Sequence, residues 1–233
     1  IKSSEGASGG LDGDGLSNLE EFQQGVDIAV DDVPPVLTIP SNVTVNSTGP
    51  TTPVDLGLAT AVDFKDGTII PSVNDSGPFI PGHNVITWSV ADQSGNVATD
   101  QQTVDVIPLV SFTTSQSVDE GSSVTVSLSL NGSPVAYPVV VPFTVSGSAD
   151  SSADHDLVDG DITIESPDTS ATLNFLTTVD DVWEGDETVL ITMGTPTNAV
   201  EGSRTSHSVT IKEENIDPVV NRGIDQAGKP VTN

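Results

Sequence analysis

From Ser123 to Leu130 the chain reads Ser-Val-Thr-Val-Ser-Leu-Ser-Leu, an unbroken alternation of polar and apolar side chains. A period of two puts Val124, Val126, Leu128 and Leu130 on one face of an extended strand, whereas a helix would scatter them around its axis. The alternation returns at Val139, Val141, Phe143 and Val145. Shorter runs predict strands at Val36 to Ile39, Val43 to Val45, Thr68 to Ile70, Val85 to Val90 and Thr103 to Ile107. Others fall at Asp161 to Ile164, Ala171 to Phe175, Thr188 to Met193 and Ser206 to Lys212. Turn residues punctuate the runs at Lys65-Asp66-Gly67, Ser76-Gly77-Pro78, Pro81-Gly82 and Ser94-Gly95-Asn96, and Asn131-Gly132 predicts a hairpin between the two longest alternations. With 233 residues, 35% apolar and only 4% aromatic, two small cores fit better than one large one. The expectation is an all-β chain of two tandem Ig-like antiparallel β-sandwiches, with five or more strands in the first and seven in the second.

Charge bounds the partners. Thirty-four acids face six bases, for a formal net charge of −28, and Lys65 is the lone base between residues 3 and 203. Such a field repels phosphate backbones and anionic membranes, so nucleic acid is excluded as a partner. There is no cysteine, hence neither a disulfide framework nor a thiolate metal site. No run approaches the roughly 20 apolar residues of a membrane span. The start at Ile1, without a signal-like segment, reads as a piece of something longer. An acidic, lysine-poor coat also serves solubility in salt, but dispersal would suffice for that. Here more than half of the acids fall between Asp119 and Asp217, several of them in clusters.

The densest cluster is Asp180-Asp181-Val182-Trp183-Glu184-Gly185-Asp186-Glu187, with five carboxylates in eight residues. Two readings stand: a solvated acidic loop, or ligands for a hard divalent cation such as calcium, which takes six to eight oxygens. Asp181 and Asp186 read as solvated loop charge.

A second oxygen-rich stretch is Asp12-Gly13-Asp14-Gly15-Leu16-Ser17-Asn18-Leu19-Glu20-Glu21. With Gly15 as the sixth position of a calcium loop, Asp12 stands at three, Asp14 at five, the Leu16 carbonyl at seven, Asn18 at nine and Glu21 at twelve. The stretch resembles thrombospondin type 3 and EF-hand-like repeats and implies a short N-terminal calcium loop with a helix after it. Gly10 stands where the family has Asp, which removes one carboxylate from the site.

Two further resemblances organise the rest. Pro34-Pro35-Val36, Val54-Asp55-Leu56-Gly57, Ala61-Val62-Asp63, Pro81 to Trp88 and Ala91-Asp92-Gln93-Ser94-Gly95-Asn96 together look like a hyalin repeat, an Ig-like module associated with extracellular adhesion. Trp88 reads as a core residue, and Asp63, Asp66 and Asp92 as turn residues. Val110-Ser111-Phe112, Val118-Asp119-Glu120-Gly121, Gly147-Ser148-Ala149, Ala153-Asp154-His155, the acidic octet and Val209 to Asn215 look like a Calx-beta domain. That resemblance implies calcium ligands at Glu120, Asp154, Asp180, Glu184, Glu187, Glu213 and Glu214, with Val182 contributing its carbonyl. Val179 stands where the high-affinity pattern has Asp, and Glu213-Glu214-Asn215 where the family has an Asp run; both weaken the expected site. His155 takes the place of an aromatic and reads as a packing residue. The expected boundaries are 1–30 for the calcium loop, 31–108 for the hyalin-like sandwich, 109–216 for the Calx-beta-like sandwich, and 217–233 for a tail or the start of a following module.

Catalytic patterns are weak. Gly6-Ala7-Ser8-Gly9-Gly10 matches a nucleophile elbow in letters only, since neither strand nor helix flanks it. His83, His155 and His207 lack zinc-ligand spacing. The sequence thus predicts a non-enzymatic, calcium-binding structural and adhesive module of a secreted or cell-surface bacterial protein. Its expected partners are calcium ions, neighbouring domains and a cell-surface protein or polysaccharide. The alternative is a carbohydrate-binding accessory module of a secreted polysaccharide-degrading enzyme.

Overall fold

The computed structural model describes residues 22–23, 31–180 and 183–213. The expected ligands Asp12, Asp14, Leu16, Asn18, Glu21, Val182 and Glu214 lie outside them. The described residues are dominated by strands, and no helix among them is long and apolar enough to cross a membrane. The chain divides into two compact units, one of residues 1–45 and 51–106, the other of 46–50 and 107–233.

The first unit contains β1 (Val36–Thr38), β2 (Val43–Asn46), β3 (Thr60–Asp63), β4 (Gly67–Ile69), β5 (Ser72–Val73), β6 (Gly82–Ala91) and β7 (Val97–Ile107). They form two sheets, ordered β1-β3-β4 and β2-β7-β6-β5. Leu56, Phe79, Ile86, Trp88, Val104 and Val106 make the core, with Leu37 of β1 packed against them from the other sheet. Trp88 is an interior residue, as expected. The sequence did not flag its partner: Gln102 is fully buried, accepts a hydrogen bond from Trp88 Nε1 at 3.0 Å and donates both amide hydrogens, to Ser41 O at 2.7 Å and Leu56 O at 3.0 Å. One side chain thus satisfies three groups of the interior.

The second unit contains β8 (Leu109–Phe112), β9 (Gln116–Asp119), β10 (Ser123–Leu130), β11 (Val139–Gly147), β12 (Gly160–Ile164), β13 (Ser170–Leu176), β14 (Glu187–Met193), β15 (Val200–Glu201) and β16 (Ser206–Lys212). The sheets run β13-β10-β8-β15 and β12-β11-β14-β16-β9. Val124, Val126, Leu128 and Leu130 face Val139, Val141, Phe143, Val189, Ile191, Val209 and Ile211 in one core. Pairing is antiparallel except at two edges, where β15 joins β8 and β9 joins β16 in parallel.

The expected hairpin at Asn131-Gly132 does not form. β10 pairs with β13 and β8, and β11 with β12 and β14, so this connection crosses between sheets. Eight residues separate the two strands, too many for a two-residue turn, and Asn131 is occupied otherwise: its Oδ1 accepts from Leu109 N at 2.8 Å and its Nδ2 donates to Ser47 Oγ at 3.0 Å.

Replacing Gln102 with Leu should lower the stability of the first unit by about 2–4 kcal/mol, because the Trp88 indole N–H and two carbonyls lose their partner. Urea unfolding followed by Trp88 emission in a Trp183→Phe background measures this; an unchanged midpoint would show that the amide is dispensable.

Candidate metal centre

Strand direction gathers the acids at one end of the second unit. β11 ends at Gly147 opposite Val189 near the start of β14, and Glu187 lies opposite Ile211 at the end of β16. β9 ends at Asp119 opposite Lys212, and Leu176 at the end of β13 lies opposite Ser123. The segments after β9, β11, β13 and β16 therefore leave the sandwich together.

Backbone hydrogen bonds fix the segment that carries Asp154. Asp154 N donates to Asp150 O at 2.9 Å, Thr178 N to Asp154 O at 2.8 Å and Asp156 N to Leu176 O at 3.2 Å. The loop after β11 is so tied to the stretch that runs from β13 to Asp180. On the other flank Ala149 N donates to Thr188 O at 3.1 Å. Gly147, at φ 134°, makes that approach feasible: a Cβ there would lie 2.0 Å from the Thr188 oxygen. Gly121 serves the neighbouring turn in the same way, with φ 71° and the Val179 side chain where its own would be.

Within this frame Asp154, Asp180 and Glu184 each place a carboxylate oxygen within 4.8 Å of the others. Glu187 adjoins them, sharing a side-chain hydrogen bond with Asp154. Glu213 approaches from the end of β16, its Oε2 accepting from Glu184 N at 2.8 Å and Gly185 N at 3.3 Å. Glu120 follows β9 at the same end, its N–H donating to Lys212 O at 3.3 Å. Asp154, Asp180 and Glu184 are thus brought together, Glu187 and Glu213 border them, and Glu120 stands at the adjoining strand end.

Two acids behave differently from their sequence reading. Asp150 acts on both Glu184 and Glu187, although the resemblance placed no ligand there; its position four residues before Asp154 was the available signal. Asp186 is not a merely solvated charge. It pairs with Lys212 Nζ, whose hydrogen bond holds its carboxyl below the ordinary carboxylate range against the opposing effect of burial.

Crowding shows in proton affinity. The Asp154 charge, followed by burial and the charges of Asp180, Glu213 and Asp150, raises Glu184 above the usual range. Burial, the hydrogen bond to Asp154 and the charges of Asp154, Glu184 and Asp150 push Glu187 up to about 7. Two carboxyl groups can hydrogen-bond only if they share a proton, so the metal-free site takes up H⁺ where it lacks another cation. All the donors are oxygens, and a separation of up to 4.8 Å matches two ligands on opposite sides of an ion with bonds of about 2.4 Å. The residues fit a hard divalent cation.

His155 is a packing residue, buried beside Phe175 at a ring-centroid distance of 6.2 Å, with Nδ1 accepting from Leu157 N.

In metal-free protein the proton on Glu187 sets the sign of the pH dependence. Its folded value of about 7 exceeds the ordinary glutamate value of 4.5, so its stabilising contribution is complete below about 4.5 and is lost as pH rises through 7. With chelator present, melting of the second unit should shift downward between pH 5 and 8, and Glu187→Gln should flatten that slope. A profile identical in both proteins would remove Glu187 from the cluster.

No protein-family model matches the sequence, and no curated protein matches it. Among solved structures the chain is similar to CBD12 from CALX1.2, with 20% identity and a TM-score of 0.38 over 41% of this chain; it spans 40% of that one. The apo-form Calx CBD1 domain is matched over 99% of its length and 47% of this chain, with 17% identity and a TM-score of 0.42. The calcium binding domain CBD12 of CALX1.1 is matched over 46% of both chains, with 19% identity and a TM-score of 0.42. At identities of 20% or less and TM-scores below 0.5, the chemistry of this chain rests on its own geometry.

Proposed function

We propose that the chain is a calcium-binding structural and adhesive module of a secreted or cell-surface multidomain protein. The observation that carries this reading is the convergence of Asp154, Asp180 and Glu184 within 4.8 Å, with Glu187 pressed against them until its carboxyl holds a proton near neutral pH. The charges that raise Glu184 are those of Asp154, Asp180, Glu213 and Asp150. A divalent ion replaces the shared proton, removes the repulsion and joins segments that enter from β11, β13 and β16. Calcium fits better than magnesium because the ligands come from separate loops and include long Glu side chains, which suit a flexible coordination sphere rather than a strict octahedron.

In this reading the site is a cross-link and assigns the chain no reaction. The N-terminal residues Asp12, Asp14, Leu16, Asn18 and Glu21 supply a second, weaker loop site. Trp88 is sealed inside the first core and hydrogen-bonded to Gln102, which takes the larger part of the tryptophan surface away from sugar stacking and disfavours the accessory-module alternative.

A ligand that binds only the folded state stabilises it by RT ln(1 + [L]/Kd), about 2.7 kcal/mol at 100 times Kd. Millimolar calcium added to chelated protein should therefore raise the melting temperature of the second unit by several degrees at constant ionic strength. Asp180→Asn or Glu184→Gln should abolish most of that shift. Asp168→Asn, whose carboxylate sits on the exposed turn before β13, should retain it. Equal behaviour of all three variants would mean that the acids act as a diffuse charge cloud and not as a site.

A further inference from the structure

The first unit holds a second set of convergent carboxylates, in a setting unlike the acidic octet. Asp31 precedes β1, Asp63 ends β3 and Asp92 follows β6, and one oxygen of each lies within 4.8 Å of the others. All three are interior residues, with exposures of 4%, 4% and 8%. Solvated acidic loops do not look like this: an isolated buried carboxylate is strongly disfavoured, and grouping three of them compounds the penalty. Among the described residues no cationic side chain pairs with any of them; the ion pairs present are His83 with Asp105 and Lys212 with Asp186.

The hydrogen bonds leave the group incomplete. Asp63 Oδ1 accepts from Lys65 N at 2.8 Å and Asp66 N at 2.7 Å, whereas its Oδ2 accepts from no described residue. Asp31 is met by Ser94 Oγ at 3.2 Å and by Val33 N at 3.4 Å, both long. Asp92 accepts from Asn96 N and from Asn96 Nδ2, each at 2.8 Å. Three interior carboxylates that converge, one of them with an oxygen that accepts from no described residue, call for a positive ligand.

We propose that Asp31, Asp63 and Asp92 bind one divalent cation of the calcium class, which locks the segment leading into β1 onto the turns after β3 and β6. An ion with bonds of about 2.4 Å reaches three oxygens spread over 4.8 Å, and bidentate contacts or water complete six to eight ligands. Asn96 prepares the site, since its Nδ2 donates both to Asp92 Oδ2 and to the Asp31 carbonyl at 2.9 Å, fixing the entering segment beside the turn. The ion neutralises the buried charge where hydrogen bonds cannot, and it closes a chain segment of more than sixty residues from Asp31 to Asp92.

The test is calcium stoichiometry on the full chain by equilibrium dialysis, together with first-unit melting followed by Trp88 emission in a Trp183→Phe background. Asp63→Asn and Asp92→Asn should each bind one calcium fewer than the parent and lose the calcium-induced rise in first-unit melting. Asparagine keeps the oxygen that accepts from Lys65 N and Asp66 N, so the turn itself persists. Should Asp63→Asn lose native Trp88 emission, Asp31→Asn decides, since among the described residues that side chain makes only the two long bonds. An unchanged calcium count in any natively folded variant of the three overturns the proposal. Asp180→Asn separates the two sites: it should lower the count while leaving the first-unit shift intact. Failure of the second-unit site with this one retained would overturn the proposed function and not this inference.

Discussion

Repulsion between carboxylates is the constraint on which the rest of this structure depends. Folding brings acids together from distant parts of a chain with 34 of them and six bases, and an apolar sandwich must hold them there. The second unit does so with a core of Val, Leu, Ile and Phe side chains from both sheets, whose burial at roughly 25 cal/mol per Å² supplies the opposing free energy. Its polar end then carries Asp154, Asp180, Glu184 and Glu187 at distances that unscreened charges would not choose. The rise of the Glu187 carboxyl to about 7 is the response to that crowding.

Those ties distinguish a site from a coat. Lys212 takes Asp186 into an ion pair, and Glu213 gives one oxygen to the amides of Glu184 and Gly185, so a base and an acid at the end of β16 hold the octet in place. Asp150 and Asp154 are joined by Asp150 N donating to Asp154 Oδ2 at 2.6 Å. One part of the acidic population therefore shapes the loops, and another part, Asp154, Asp180 and Glu184, makes up the proposed ion site.

Much of the fold was legible because strands half buried against a core must alternate. Val124 to Leu130 and Val139 to Val145 occupy the faces their sequence assigns, and all four alternating residues of the first run are interior. Pairing was less legible. Asn131-Gly132 carries the letters of a tight turn, but which strand lies beside β10 is decided by the core that two sheets share, and its neighbours are β13 and β8. Short strands were legible only in part: β1, β2 and β4 could be read from their apolar residues, whereas β3, β5 and β15 escaped, since two to four residues hold little of any period. The Gln102 clamp was invisible for a related reason: a glutamine among the polar residues of β7 reads as surface until the fold places it under Trp88.

Candidate ligands divide along the same line. The octet announces itself by local density, so Asp180, Glu184 and Glu187 could be selected from sequence, and the resemblance added Asp154 and Glu213. Asp31, Asp63 and Asp92 carry no such signal: each stands in a segment that reads as linker or turn, roughly thirty residues from the next. Only topology joins them, by ending β3 and β6 beside the entry to β1. The two groups also differ physically. Glu184 is exposed and long, so its site can adjust to an ion at the expense of side-chain freedom, whereas the three aspartates are short and interior. A rigid buried group loses little entropy when it closes on a cation but suffers the full repulsion without one. Occupancy therefore bears on the order of the segment before β1 in the first unit, and on the joining of loops at one end of the second.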